Sequence, residues 1–425
     1  MPVLAINGGR PVRTDPFPIY VTIGEEERRA VLEVLDTTVL SKFLGKWSPE
    51  FYGGPQVNAL EGEWARFFGA RHAVSMNSAT SCLYSAVGAA GVGPGDEVIV
   101  SPFTMSASAT AALVYGGIPV FADIDPDIFC ISPESVRRCI TRRTKAIVAV
   151  DLFGHPADMD EIMEIAGEHD LAVIEDAAQA PGATSRGRYA GTLADIGVFS
   201  LNYHKTIHCG EGGMAVTGDP ELAERLQLIR NHAEAVVKEK RVNDLVNMVG
   251  FNYRMTEIEA AIAREQLKKL PGLLALRRKA AEYLSHRLGG LPAITIPVVR
   301  PGANPGYYVY PIRFSPSEAG VSRDRFADAL NAEGIPMGKG YAEPLYLQPV
   351  YQRRIAFGKD GYPFTFGQRR DDLHYEPGLC PVAERMYYRE LMITDVCHAN
   401  TTEKDLDDVI EAFSKVLGNL GELAG

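Results

Sequence analysis

Leu171-Ala172-Val173-Ile174-Glu175-Asp176 is an apolar run that closes on two carboxylates, and the next run of its kind, Ile196–Leu201, leads within a few residues to Lys205. Between Glu26 and Gly218 such β-branched runs alternate with helical patterns: His72–Met76, Glu97–Ser101, Ile118–Asp123, Ala146–Leu152, Leu171–Asp176, Ile196–Leu201 and Gly213–Thr217. Strands separated by helices predict a mostly parallel sheet, since a parallel connection needs a crossover that packs back on the sheet. Runs apolar at successive positions, as in Ala146-Ile147-Val148-Ala149-Val150, suit strands buried on both faces. The expected fold is α/β, a mostly parallel seven-stranded sheet in an α/β/α sandwich.

Outward from this core the order changes. Ser132 precedes Pro133-Glu134, a pairing that suits a helix start. A helical stretch over Glu257–Leu288 is expected to break or kink at Pro271. Pro292, Pro297, Pro301 and Pro305 then punctuate a connection into a strand at Tyr307–Phe314, followed by helices at Arg323–Glu333 and Glu403–Leu417. We therefore expect a large α/β domain over residues 1–269, carrying an N-terminal arm, and a smaller C-terminal α+β domain over 270–425. The segment Tyr351–Tyr375 has no clear period and is expected to be a long surface loop.

The formal net charge of −11 in 425 residues comes with no basic block, which argues against nucleic acid or an anionic membrane as the main partner and favours a small molecule. No stretch approaches the roughly 20 apolar residues of a membrane helix, and the N-terminus lacks the order of a signal peptide, so a cytoplasmic protein is expected. The six cysteines are scattered without a Cys-x-x-Cys pair, so neither a metal site nor a disulfide framework is expected.

Lys205 downstream of Asp176 suggests pyridoxal phosphate chemistry. That cofactor needs an amine for its aldehyde, an anion near its ring nitrogen, a platform against its ring and donors for its phosphate. Lys205 offers the amine, provided burial keeps it neutral near pH 7, and Asp176 at a strand end offers the anion. Asn77-Ser78-Ala79-Thr80-Ser81, between a strand and the helix Cys82–Ala90, offers backbone N–H groups to a phosphate, and Ser200 offers a hydroxyl. Singly, each has an ordinary reading: a solvated lysine, a turn-forming aspartate, a hydroxyl-rich helix cap.

Further motifs lie in order along the chain: Gly53-Gly54-Pro55-Gln56-Val57, Asn77-Ser78-Ala79-Thr80-Ser81-Cys82-Leu83, Gly93-Pro94-Gly95-Asp96-Glu97, Phe153-Gly154-His155-Pro156-Ala157-Asp158-Met159, Ile174-Glu175-Asp176-Ala177-Ala178-Gln179-Ala180, Gly210-Glu211-Gly212-Gly213 and Gly250-Phe251-Asn252-Tyr253-Arg254-Met255. With them the chain, from about Pro18 to Phe413, resembles the DegT/DnrJ/EryC1/StrS family of sugar and cyclitol aminotransferases. The resemblance implies an aspartate-aminotransferase-like fold of type I and pyridoxal 5'-phosphate as cofactor. It implies that Lys205 bonds the cofactor aldehyde, Asp176 faces the ring nitrogen, Gln179 reaches the phenolic oxygen, and Ala79, Thr80 and Ser200 hold the phosphate. Asn252 would reach the phosphate bound by a neighbouring subunit, which implies a homodimer with shared sites. The implied reaction moves an amino group from glutamate or glutamine to a keto sugar or keto cyclitol, as in amino-sugar or antibiotic biosynthesis. A lysine at 205 separates the chain from relatives with histidine there, which dehydrate deoxysugars.

Three positions depart from the family pattern. Met105 stands where an aromatic usually stacks on the ring, with Phe103 as the alternative contact and a core methionine as the ordinary reading. Ala79 replaces a frequent glycine, which is tolerable if its φ is negative. Asp151 replaces a frequent histidine and is expected to bear on substrate or donor choice. His204, Arg254, Tyr341 and His374 are candidate substrate contacts, with Tyr375 nearby; Arg230 is a second candidate for a donor carboxylate. Glu384 and Arg385 read as ion-pairing or helix-start residues. The competing readings are a pyridoxal-dependent sugar dehydratase or epimerase, and, from another class, a noncatalytic regulatory protein that retains the fold.

Overall fold

A computed structural model of the chain describes residues 3–366 and 373–423. The seven expected strands form and share one sheet: β1 (His72–Met76), β2 (Glu97–Val100), β3 (Ile118–Phe121), β4 (Thr144–Val150), β5 (Ala172–Asp176), β6 (Ile196–Ser200) and β7 (Gly213–Thr217). Their spatial order is β1-β7-β6-β5-β4-β2-β3. Strands β2 to β6 pair in parallel, while β7 runs antiparallel to both β1 and β6. Every residue of β4 except Lys145 is buried, as a strand covered by helices on both faces requires. In register, Val150 lies beside Asp176 and Asp176 beside Val198. The carboxyl ends of β4, β5 and β6 therefore open onto one place, where α/β sheets bind ligands.

Local signals explain the helix starts. Ser78 caps the helix Ala79–Ala89 by accepting the Ser81 N–H at 3.0 Å, and Ser132 caps Pro133–Cys139 with proline at its first turn. The expected break at Pro271 is absent: one helix runs from Glu257 to Leu288, begun by a reciprocal cap between Thr256 and Glu259. Pro271 is on its exposed side, whereas Leu267, Leu270 and Leu274 before and after it are buried. That packing outweighs the roughly 3 kcal/mol an interior proline costs a helix.

A second, antiparallel sheet pairs Tyr310–Phe314 with Ile294–Thr295 on one side and Leu391–Thr394 on the other, with Gly338–Lys339 beyond. Its core takes in Phe314, Phe326, Leu330 and Phe413, and also Leu4 from the opposite end of the chain. Fully buried Glu333 ties that end down, accepting the N–H groups of Ala5 (2.9 Å) and Val12 (3.0 Å) and the Lys415 ammonium (2.7 Å). The expected loop over Tyr351–Tyr375 forms in its described part, largely irregular and exposed from Gln352 to Asp360, but it is pinned at several points by buried side chains; residues 367–372 lie outside the described residues. Tyr351, Phe364, Leu373 and Tyr375 are buried, Tyr351 and Tyr375 pack edge-on against Phe121, and the Tyr375 hydroxyl donates to the Pro119 carbonyl at 2.7 Å. Aromatic anchors spaced irregularly leave no period to read. No helix among the described residues is long and apolar enough to cross a membrane.

Candidate active site

The cleft at the carboxyl ends of β4, β5 and β6 encloses about 680 Å³ open to solvent, and is lined by Ser78, Ala79, Thr80, Met105, Asp176, Gln179, Ser200, His204 and Lys205 among others. One end is backbone. Ala79 and Thr80 open a helix whose first N–H groups have no intrahelical acceptor. Ala79 lies within that helix and is not among the left-handed residues, so its methyl group leaves its N–H free. Gly213 at the start of β7 lies against this turn: a Cβ there would stand 2.5 Å from Ala79 N. The close approach is possible only for glycine. Ser200 ends β6 on the same side, 5% exposed.

Lys205 projects from the loop after β6, its N–H bonded to the Asn202 carbonyl at 2.9 Å. It is 9% exposed. Burial lowers its amine to about 8, against the opposing charge of Asp176. At pH 7.5 about one quarter of such amines are unprotonated, against roughly one in a thousand for an ordinary lysine. The Tyr308 ring lies 4.6 Å from Nζ to its centroid. Asp176 is buried and accepts the Ser108 hydroxyl (2.8 Å) and the Ala178 N–H (3.2 Å). Burial pushes its carboxyl upward, while Ser108, Ala178 and Lys205 hold it down.

Gln179 is fixed at both ends of its amide: Oε1 accepts the Phe153 N–H at 2.8 Å and Nε2 donates to the Tyr341 hydroxyl at 2.9 Å. Tyr341 packs edge-on to Phe103 and Phe153. Met105 is 57% exposed and lines the cleft, whereas Phe103 is fully buried. The core-methionine reading is thereby excluded, and of the two residues Met105 is the one on the cleft wall.

Several candidates lie elsewhere. Arg230 is fully buried, bonded to Glu61 (2.5 Å) and the Ser75 carbonyl (3.1 Å), and so cannot meet a donor carboxylate. Asp151 is also fully buried and does not reach the cleft wall. Arg254 donates to Asn252 at 2.7 Å, and neither lines the cleft of its own chain. His374 is exposed, 3.6 Å from Glu376, and lies off the cleft wall. Glu384 accepts the Tyr346 hydroxyl and the Gly378 N–H, and Arg385 pairs with Glu390 at 3.3 Å. His204 is on the wall, its ring lowered in basicity by burial and the Lys205 charge. Sequence reasoning missed Ser108, Tyr308, Asn202 and Glu211. Ser108 and Tyr308 arrive from distant segments and carry no motif, and the Asn202 to Glu211 bond (2.9 Å) closes a loop.

Amine, buried carboxylate, fixed amide and a glycine-backed helix start together fit a pyridoxal phosphate group. A model of the DegT/DnrJ/EryC1/StrS aminotransferase family matches residues 23–414. The chain is 36% identical to an L-glutamine:2-deoxy-scyllo-inosose aminotransferase of Streptoalloteichus tenebrarius, covering 100% of both chains. It is also 36% identical to the GDP-perosamine synthase of Caulobacter vibrioides, covering 92% of this chain and 95% of that one. Among solved structures it is similar to the aminotransferase from Psychrobacter cryohalolentis, with a TM-score of 0.81 and 30% identity over 96% of this chain and 100% of the other. DesV of S. venezuelae, solved in complex with a ketimine intermediate, gives 0.77 and 32% over 92% and 94%.

Proposed function

This chain belongs to the DegT/DnrJ/EryC1/StrS aminotransferase family, and from that premise we propose that it transfers an amino group from glutamine or glutamate to a keto cyclitol. It is a pyridoxal phosphate-dependent aminotransferase of fold type I. The observation that carries the acceptor class is the end-to-end likeness to the 2-deoxy-scyllo-inosose enzyme, 100% of each chain. A keto sugar is the second reading, favoured by the likeness to GDP-perosamine synthase.

Bound in the cleft, the cofactor would supply an aldehyde to carry nitrogen and a ring to take up electrons. The Ala79 and Thr80 N–H groups and the Ser200 hydroxyl would hold its phosphate, Asp176 its ring nitrogen, Gln179 its phenolic oxygen, and Met105 its face. Lys205 Nζ would bond its aldehyde and, when displaced by a substrate amine, take the proton from the substrate carbon bearing nitrogen. An amine near 8 is suited to both tasks at neutral pH. His204, on the cleft wall, would meet a substrate hydroxyl, while Tyr341, off that wall, would act through the Gln179 amide it holds. Asn252, exposed and off its own cleft, is in keeping with a homodimer in which it serves the partner's phosphate. The exposed apolar residues Ile19, Val21, Leu44, Trp47, Leu245 and Val249 support such an interface. A cytoplasmic site of action completes the reading.

The test is spectroscopic. Purified enzyme should carry a visible cofactor band that glutamine or glutamate removes and that Lys205→Ala lacks. Product formed from a keto cyclitol should contain one new nitrogen by mass spectrometry. A band unmoved by every amino donor would refute transamination and favour the regulatory reading, and product without nitrogen would favour dehydration or epimerisation.

A further inference from the structure

The helix Glu257–Leu288 presents two buried polar residues, Gln266 and Arg277, about three turns apart along one face. Gln266 Oε1 accepts the His208 N–H at 3.3 Å and the Thr22 hydroxyl at 2.8 Å, tying the loop after Lys205 to the N-terminal arm. Arg277 Nη1 donates to the carbonyls of Tyr307 and Tyr308, each at 3.1 Å. Its guanidinium carbon lies 5.1 Å from the centre of the Tyr20 ring, and the Tyr20 hydroxyl donates to the Thr206 carbonyl at 2.6 Å. Thr206 is buried and directly follows Lys205.

One side chain thus joins the two segments that meet at Lys205 Nζ. The first carries the Tyr308 ring, 4.6 Å from the amine, and the second is the backbone that carries the amine itself. Tyr307 has φ 49, a left-handed conformation costly for a bulky residue and kept only where surroundings enforce it. Arg277 holds this turn by its two carbonyls, and the Phe153 carbonyl holds it from the other side by accepting the Tyr308 N–H at 2.9 Å. Arg277 Nε meets no acceptor. An apolar side chain would fill the same space without burying a charge, so what the guanidinium supplies is position rather than stability.

We propose that Arg277 and Tyr20 are positioning residues for the reaction, fixing the Lys205 backbone relative to the Tyr308 ring. The proposal rests on Lys205 as the amine that bonds the cofactor, and is independent of which ketone is aminated. An amine that must leave an aldehyde, move a proton and return needs its carrier backbone held while Nζ moves. A misplacement of about 1 Å can cost about a hundredfold in rate.

Tyr20→Phe deletes one hydroxyl and keeps the ring against Arg277; Arg277→Met removes the guanidinium and keeps an apolar filling. The first readout is amide hydrogen exchange of the apoprotein in two peptides, Asn202–Cys209, where the Lys205 and Cys209 N–H groups bond within the loop, and Ala303–Phe314. Tyr20→Phe should speed exchange about fivefold in the first peptide alone and Arg277→Met in both, with β2 and β3 unchanged. The second readout is decay of the visible cofactor band with glutamine or glutamate. In both variants its rate at saturating donor should fall about tenfold, with the half-saturating concentration within about twofold of the wild type. Unchanged exchange of Asn202–Cys209 in Tyr20→Phe would overturn the proposal, as would exchange raised equally over the whole chain, or band decay at the wild-type rate in both variants. Should Arg277→Met fail to fold, Tyr20→Phe alone decides. A wild-type band that neither donor moves would refute transamination, and exchange of the apoprotein would still decide whether the two residues hold the loop.

Discussion

Tyr308→Leu should make Lys205 more acidic. The ring faces Nζ at 4.6 Å, and a cation over a partly desolvated aromatic face is stabilised by about 1 kcal/mol. Divided by 1.36 kcal/mol per pH unit, this is a fall of about 0.7 unit, from about 8 to roughly 7.3. The unprotonated share at pH 7.5 would rise from about one quarter to roughly three fifths. Tyr308→Phe keeps the ring face and should leave Lys205 near the wild-type value. The assay is trace acylation of the apoprotein between pH 6 and 10, with the Lys205 peptide quantified by mass spectrometry against exposed Lys268, whose side chain is 60% accessible. Acylation of Lys205 with a midpoint near 10.5 in the wild type would refute the burial argument. A midpoint that rises in the leucine variant would refute the role of the ring.

Three further outcomes follow from the same geometry. Glu61→Gln leaves the Arg230 guanidinium buried without its counter-charge and should cost about 3–5 kcal/mol in urea unfolding, most of it recovered on adding Arg230→Met; a loss under about 1 kcal/mol would contradict this. Gly213→Ala drives a methyl into the Ser78–Ala79 backbone and should cut pyridoxal phosphate affinity at least tenfold, read by absorbance titration. Ser108→Ala removes the 2.8 Å bond to Asp176, leaving burial to raise that carboxyl further, and should weaken cofactor binding about tenfold.

The sheet was legible because each of its strands is a continuous apolar run, and a strand buried on both faces writes its burial into consecutive residues. Lys205, Asp176, Ala79, Thr80 and Ser200 were legible as residues of one cleft because each lies at or within a few residues of a strand end, and strand ends in such sheets converge; Gln179 was read from the family pattern alone. Arg230 and Asp151 were misread for one shared reason. A charge in sequence looks available, yet whether it meets solvent or a buried partner depends on the packed fold: Arg230 is held by Glu61 far along the chain, and Asp151 is enclosed and accepts the Ala157 N–H. Tyr308 was hidden because only the return of the chain into the second sheet carries it over Lys205. Pro271 shows the converse: a strong local signal for a break was overruled by packing on both sides.

The helix Glu257–Leu288 also has a mechanical meaning. Its 32 residues make a rod of about 48 Å. One half is embedded with Trp64 and Phe199 beneath the large sheet, and the other with Tyr310 and Phe326 in the second core. The two cores are thus welded to a common beam, so relative movement between them must bend it. Pro271 lacks the N–H that would bond the turn before it, but it sits inside the part of the beam clamped by Leu267, Leu270 and Leu274, and the handover to the second core comes later, between Leu274 and Ala280.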